Sequence, residues 1–301
     1  MALQDTQELG AEVTGYSQKP PTDPSIFTLT DLESQIHSVI GDIRDLEHMI
    51  QVFKETQPEI VFHLAAQPIV RESYKNPVNT YETNVMGTVN VLEAVRQCGS
   101  VRSFLNVTTD KVYKNNEWEW GYRETDELDG YDPYSNSKSC SELVTHSYAK
   151  SFLKDMDIAV STARAGNVIG GGDFAADRII PDCVRAVSGG KKVAVRNPHS
   201  TRPYQHVLEP LGAYLLIAEE QYQDSRKAGS YNVGPDDRSC LTTGELADLF
   251  CTAWGKTGAA WENLCQGGPH EANFLKLDCS RIRNRLGWKP RWQVDEAVVN
   301  T

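Results

Sequence analysis

Over the first hundred residues, short apolar runs alternate with segments whose apolar residues recur at helical spacing, the pattern that builds parallel βαβ layers. Residues 60–66 are the clearest run. They are broken only by His63 and close on small residues, as expected of a strand buried on both faces with a tight exit loop. Residues 80–98 put Val85, Val89, Leu92 and Val95 on one helical face. Residues 104–107 read as the next strand, with Thr108-Thr109-Asp110 at its carboxyl end, where such sheets present their reactive groups. Pro133 then opens a helix running through Tyr134, Lys138, Leu143 and Tyr148, and residues 158–163 resume the strand pattern. Upstream, residues 4–9 read as the end of a helix stopped by Gly10, residues 11–16 as a strand and residues 19–24 as a loop. The expected fold is a doubly wound, parallel α/β sheet.

Beyond about Gly170 the texture changes to loops punctuated by glycine and proline, such as Gly170-Gly171-Gly172 and Asn197-Pro198-His199. This predicts a smaller lobe over residues 171–301 attached to a main domain over residues 1–170, some lobe segments returning to the main domain. Helices are expected at residues 209–222 and 243–254, and a last short strand and helix within residues 276–288. The chain of 301 residues carries a net charge of −11, which offers no footprint for nucleic acid or an anionic membrane, so any anionic ligand must be held by local arginines. Its seven cysteines are odd in number and contain no C-x-x-C pair, as in a reduced cytoplasmic protein, and no grouping suggests a metal site. The sequence shows neither a signal peptide nor an apolar run long enough to span a bilayer.

Tyr134 and Lys138 are four residues apart, so on a helix they share one face at a distance of one turn. A cation there favours the phenolate. Tyrosine titrates near ~10, and work as a base near neutrality needs a drop of roughly three units, about 4 kcal/mol. The spacing alone equally suits an ordinary surface helix. The strand-end Thr109 and Asp110, the strand-end run Leu64-Ala65-Ala66-Gln67 and the run Thr83-Asn84-Val85-Met86-Gly87-Thr88 change that balance.

In order and spacing these four features resemble the extended short-chain dehydrogenase/reductase family of NAD-dependent epimerases and dehydratases, whose fold is Rossmann-type. Thr108-Thr109-Asp110-Lys111-Val112-Tyr113, Arg164-Ala165-Gly166-Asn167 and Arg202-Pro203-Tyr204-Gln205-His206-Val207 resemble its branch of CDP-sugar 4,6-dehydratases in particular. The pair Asp110-Lys111 is specific, because the related dTDP- and GDP-sugar branches carry Asp-Glu there. The resemblance covers nearly the whole chain and implies CDP-glucose as substrate, NAD as cofactor and a homodimer. It implies that Tyr134 takes the proton of the C4 hydroxyl, Lys138 holds the phenolate and a ribose, and Thr109 bonds O4. Asp110 is then the acid at C6 and Lys111 the base at C5, although Lys111 also suits a solvated strand end. Arg178, Arg202, Asn167 and His270 would hold the nucleotide sugar, with Arg71 a weaker candidate. Asp42 and Ile43 would flank the adenine side of NAD, and Leu64, Ala65, Ala66, Gln67 and Thr83 the ribose and nicotinamide side; Asp42 could equally be a turn residue.

The family opens with a strand and a glycine-rich turn whose amides receive the cofactor pyrophosphate. The first glycines here, Gly10 and Gly15, do not supply that turn, so the sequence reads as one that begins partway along the first helix. Three readings follow: a dehydratase for CDP-glucose, a dehydratase or epimerase for another nucleotide sugar, and an inactive, truncated remnant that binds a sugar nucleotide or dimerises.

Overall fold

The computed structural model describes residues 10–255, 259–264 and 272–301. At its centre lies a four-stranded parallel sheet in the order β3-β4-β5-β9, formed by β3 (Ile60–His63), β4 (Ser103–Thr109), β5 (Ala159–Ala165) and β9 (Ser230–Val233). β1 (Thr14–Ser17) and β2 (His37–Ile40) pair in parallel as a separate two-stranded sheet. The crossover helices are α1 (Leu46–Thr56), α2 (Gly87–Gln97) and α3 (Pro133–Ser151), and short helical turns at Val70–Lys75 and Pro77–Tyr81 precede α2. The expected α/β fold is therefore present, with two differences of extent. The run at 60–66 leaves the sheet after His63, and the helix expected over 80–98 is two α-helical pieces joined by a π turn at Glu82–Met86.

Two apolar layers cover the sheet. On one face Ile43, Met49, Leu92, Val95, Phe104 and Leu153 are buried together, and on the other Leu105, Tyr113, Tyr122, Tyr214, Tyr231 and Val233. Phe104 and Leu105 point opposite ways from adjacent positions of β4, as the period of two requires, and each is fully buried. Asn106 and Thr108, polar positions of β4, decide how α3 seats. Asn106 Nδ2 donates to Ser141 Oγ at 2.9 Å and to Thr145 Oγ1 at 2.8 Å, and Thr108 Oγ1 donates to Glu142 at 2.5 Å. The inner face of α3 is a run of small polar residues, with Ser135, Ser137, Ser139, Ser141 and Thr145 all buried. Its start is well marked: Pro133 is the first residue, and the carboxylate of Asp132 accepts from Ser135 N at 3.0 Å.

The second half of the chain builds a lobe and also returns to the sheet. β6 (Asn167–Ile169), β8 (Thr201–His206) and β10 (Cys240–Thr242) form a three-stranded sheet in the order β10-β8-β6, and β7 (Val193–Val195) pairs in parallel with β11 (Trp261–Asn263). α4 (Ile179–Ser188) and α6 (Thr243–Trp254) pack with these strands around Ile180, Val193, Tyr204, Leu246 and Phe250. α5 (Leu208–Gln223) lies against β4 and β5, however, and α7 (Ser280–Leu286) against β9, so residues 208–233 and 280–286 belong physically to the main sheet. The strand expected near residue 276 is reduced to isolated bridges, Leu277 to Tyr122 and Phe274 to Thr201, before the chain enters α7. The N-terminal helix expected at residues 4–9 lies outside the described residues.

Gly166 is the corner between β5 and β6. A Cβ there would come within 2.6 Å of the Pro203 ring and 2.7 Å of the Pro203 carbonyl oxygen, so only glycine lets β8 cross this close. The crossing carries Arg202 toward the carboxyl end of β4.

Candidate active site

Thr109 ends β4 and caps a single 3-10 turn, Asp110–Val112, its hydroxyl accepting from Lys111 N at 3.4 Å. The same hydroxyl donates to Asp110 Oδ1 at 2.9 Å. Asp110 is buried, and its Oδ2 has no hydrogen-bond partner among the described residues. Burial pushes the carboxyl above its usual range, opposed by the charges of Lys111 and Arg202 and by the Thr109 hydroxyl. Burial thus favours the protonated, donating form of this carboxyl. Lys111 is half-buried beside it.

Tyr134, in the first turn of α3, is buried with its phenol against Thr109. Burial pushes it up to about 12; Thr109 and Arg178 work the other way, while Asp110 and Asp132 add to the rise. Lys138 is buried one turn later, and burial pushes its ammonium down to about 8, opposed by Glu142. Tyr134 and Lys138 make no hydrogen bond to each other. Lys138 Nζ donates instead to the carbonyl oxygen of Val107 at 3.1 Å, which sets the ammonium against β4 and leaves two further N–H donors for a hydroxylated ligand.

The lobe supplies two arginines. Arg202 is buried, its guanidinium donating to the carbonyls of Thr201, at 2.9 Å, and Ala272, and its charge acts on Asp110. Arg178 stands just before α4, 3.6 Å from Asp173, and its charge acts on Tyr134. Asn167 is half-buried at the start of β6, opposite Tyr204 of β8. Arg71 acts electrostatically on Asp177, the residue before Arg178. Thr109, Asp110, Lys111, Tyr134, Lys138, Arg178 and Arg202 thus converge on the carboxyl end of β4. His270 lies outside the described residues.

The cofactor-side candidates divide. Leu64 is exposed at the end of β3, followed by half-buried Ala65, Ala66 and Gln67, and Thr83 is half-buried in the π turn. Gln67 N donates to Asn84 Oδ1 at 2.8 Å, and Asn84 Nδ2 donates to Ser137 Oγ at 2.9 Å, so buried Asn84 ties this loop to α3 beside the dyad. Sequence reasoning gave Asn84 no role. At the end of β2, Asp42 is engaged by Arg44 and by Gln18 Nε2 at 2.7 Å, the Arg44 hydrogen bonds bringing its carboxyl down to about 2. The Ile43 side chain is core: it fills the space where Gly87 has no Cβ, with Cδ1 2.4 Å from where one would stand. Ile43 can therefore present backbone but not its side chain to a ligand. Between residues 10 and 46 no glycine-rich turn opens a helix. No three-residue His, Cys, Asp or Glu cluster suited to a metal occurs among the described residues.

A parallel sheet with a buried Tyr-x-x-x-Lys helix beside a Thr-Asp strand end defines the class, a Rossmann-type enzyme built like the short-chain dehydrogenases. Solved structures with the same fold include UDP-glucose 4-epimerase from Thermotoga maritima (TM-score 0.85, 22% identity, covering 100% of this chain and 92% of the other). Another is the NAD complex of dTDP-glucose 4,6-dehydratase from Bacillus anthracis (TM-score 0.83, 21% identity, 99% and 89%). The profile of the GDP-mannose 4,6 dehydratase family matches residues 22–301, and the chain belongs to that family. Among its relatives is CDP-glucose 4,6-dehydratase of Salmonella typhimurium, 48% identical over 297 residues that cover 97% of this chain and 82% of the relative. CDP-paratose 2-epimerase of Salmonella typhi is 33% identical over 305 residues, covering 94% and 87%.

Proposed function

We propose that the protein is a CDP-glucose 4,6-dehydratase that forms CDP-4-keto-6-deoxyglucose, with NAD as a resident cofactor. The observation that carries this reading is the buried, half-unpartnered Asp110 next to Thr109, Lys111 and Tyr134 at one strand end; the 48% identity to a CDP-glucose 4,6-dehydratase supports the choice of substrate. NAD, when bound, supplies the hydride acceptor for C4 and the donor for C6. Lys138, with two free donors, would hold its nicotinamide-side ribose, with Leu64, Ala65, Ala66, Gln67 and Thr83 alongside. Asp42 and Ile43 would flank the adenine end, Ile43 through its backbone.

Tyr134 takes the proton of the C4 hydroxyl, which Thr109 orients through O4. The Lys138 ammonium would offset part of the cost of forming the phenolate in this buried site. Lys111 removes the C5 proton, acidified by the neighbouring ketone, and Asp110 protonates the departing C6 hydroxyl, which leaves as water. Arg178 and Arg202 hold the diphosphate and Asn167 the sugar, with His270 a further candidate on resemblance. The sheet and its crossover helices form the cofactor-binding part and the lobe the sugar-nucleotide part. Exposed Val78, Met86 and Leu143, on helical segments that pack together, support a homodimer through that face. Cytoplasmic placement is supported by six described cysteines free of disulfides; no helix among the described residues is long and apolar enough to cross a membrane.

The test is incubation with CDP-glucose and NAD, following the ultraviolet absorbance that a 4-keto-6-deoxy sugar develops in alkali. Product from CDP-glucose that falls by at least about 100-fold in Tyr134→Phe supports the reading. Product only from dTDP-glucose or GDP-mannose would reassign the substrate, and full turnover in Tyr134→Phe would reject the mechanism.

A further inference from the structure

Tyr134, Lys138, Glu142 and His146 follow at intervals of four along α3, so their side chains form one column. The proposed chemistry uses the first two. Glu142 is fully buried and held by donors from two strands, β4 and β5. Its Oε1 accepts from Thr108 Oγ1 at 2.5 Å and Arg164 Nε at 3.0 Å, and its Oε2 from Thr162 Oγ1 at 2.8 Å and Arg164 Nη2 at 2.9 Å. Arg164 is fixed in turn by Tyr113 Oη at 2.8 Å and the carbonyl of Glu124 at 3.1 Å. Thr108 directly follows Val107, whose carbonyl receives Lys138, and directly precedes Thr109. One stretch of β4 therefore holds the carboxylate, the ammonium and the hydroxyl that meets Tyr134.

Charge around Lys138 is sparse. From β3 comes His63, which burial and Lys138 push down to about 3, so that it is neutral; its Nε2 lies 3.1 Å from Thr88 Oγ1. From β5 comes Arg164, committed to Glu142. α3 itself contributes Tyr134, Glu142 and His146, whose Nε2 is 3.5 Å from Glu142 Oε2 and which burial holds below its usual range. Glu142 is the anion that acts on Lys138, and although burial opposes its ionisation, Arg164, Thr108 and Thr162 keep it below the usual carboxylate range.

We propose that Glu142 is a positioning residue for the Tyr134–Lys138 pair: its anchored carboxylate is the counter-charge that keeps the buried Lys138 ammonium protonated and seated on the Val107 carbonyl. The meaning of this for turnover rests on the proposed function; the charge state of Lys138 does not. A surface salt bridge could be lost with little effect. Here the ammonium is buried, and among the described residues the neutral Val107 carbonyl is its one hydrogen-bond partner.

The experiment titrates Lys138 in the chain without substrate or cofactor, using lysine labelled with carbon-13 at Cε and assigning the resonance with Lys138→Arg. Glu142→Gln keeps the shape and removes the charge, and its Lys138 midpoint is expected at least one unit below that of the unaltered protein, with Glu142→Asp recovering most of the difference. With CDP-glucose and NAD, the alkaline limb of kcat should move down by the same amount. Should Glu142→Gln not fold, Glu142→Leu combined with Arg164→Met removes both buried charges, and the Lys138 midpoint must fall there as well. An unmoved Lys138 midpoint in either folded variant overturns the proposal, whatever its thermal stability. Absence of turnover in the unaltered protein would instead reject the proposed reaction and leave the titration readable.

Discussion

Asp110 shows at the scale of one residue how a group proposed as reactive is kept at the expense of stability. Its carboxyl is raised by burial, so in the folded chain it holds its proton to higher pH than in the unfolded chain. The sign follows from linkage: the favourable contribution is complete below the unfolded value, near ~4, and is lost as pH rises through the folded value. At neutral pH a charged Asp110 is therefore a cost, with Oδ2 unpartnered and only Thr109 bonded to Oδ1. Asp110→Asn should raise Tm at pH 7 by a few degrees, at roughly 2–4 °C per kcal/mol for a domain of this size, while turnover falls by at least about 100-fold. Differential scanning calorimetry beside the alkaline absorbance assay checks both. A lower Tm would mean that the carboxylate is well solvated or paired in solution. Lys138 presents the complementary case, a cation that burial brings down to about 8. It is protonated below that value, so activity that needs the ammonium declines as pH rises through about 8.

At the scale of elements, the two parallel sheets differ in how they are supported. β4 is paired over seven residues with β5 and over four with β3 and is covered on both faces, whereas β1 and β2, among the described residues, pair only with each other over four residues. Two-stranded sheets are marginal by themselves, and β1 is half-buried at best, with the burial it has coming from Tyr16 against α1 and the Asp42 carbonyl. Opening should thus be local in this region. Hydrogen exchange followed by mass spectrometry should find the amides of residues 14–17 and 37–40 exchanging at least about 100-fold faster than those of residues 103–109 under native conditions, a difference of roughly 3 kcal/mol in opening. Equal protection would show that the two sheets open as one unit. α3 illustrates a different point. Its buried face is serine, threonine and glutamate, so it seats by hydrogen bonds to Asn106 and Thr108 and not by an apolar stripe.

At the scale of the whole molecule, Leu143 is exposed on the outer side of α3, and Val78 and Met86 are exposed on the segments packed beside it. In a dimer through this face, Leu143→Asp would place a charge in an apolar contact. Sedimentation velocity should then show the dimer of the unaltered chain becoming a monomer, with secondary structure by circular dichroism retained. An unaltered chain that sediments as a monomer would refute the assignment. The same scale explains which parts of the fold were legible. The apolar run at residue 60, the helix at Pro133 and the strand before Thr109 depend on local pattern, and they stand where periodicity and capping put them, within a few residues. The strand ended early at His63 because Leu64 turns out to solvent, and the strand expected near residue 276 is reduced to isolated bridges, Leu277 to Tyr122 and Phe274 to Thr201.

The candidate site was legible to a similar depth. Tyr134, Lys138, Thr109 and Asp110 could be picked out because their spacing and their place at a helix start and a strand end are local facts. Asn84, Glu142 and Arg164 could not, since their significance lies in bonds across 53, 34 and 22 positions, to Ser137, from Thr108 and to Glu142. Ile43 was expected at a ligand and is in the core, because Gly87, 44 residues later, leaves room for it. By itself the sequence determined the alternating α/β layers and the family and picked out the candidate reactive groups, since these follow from periodicity, capping and motif spacing. Only the tertiary structure decided that Lys138 rests on a backbone carbonyl, that Asp110 has an oxygen without a partner and that a buried carboxylate stands behind the dyad. Those states are set by desolvation and by charges brought near from distant positions, and neither is encoded in any local stretch of chain.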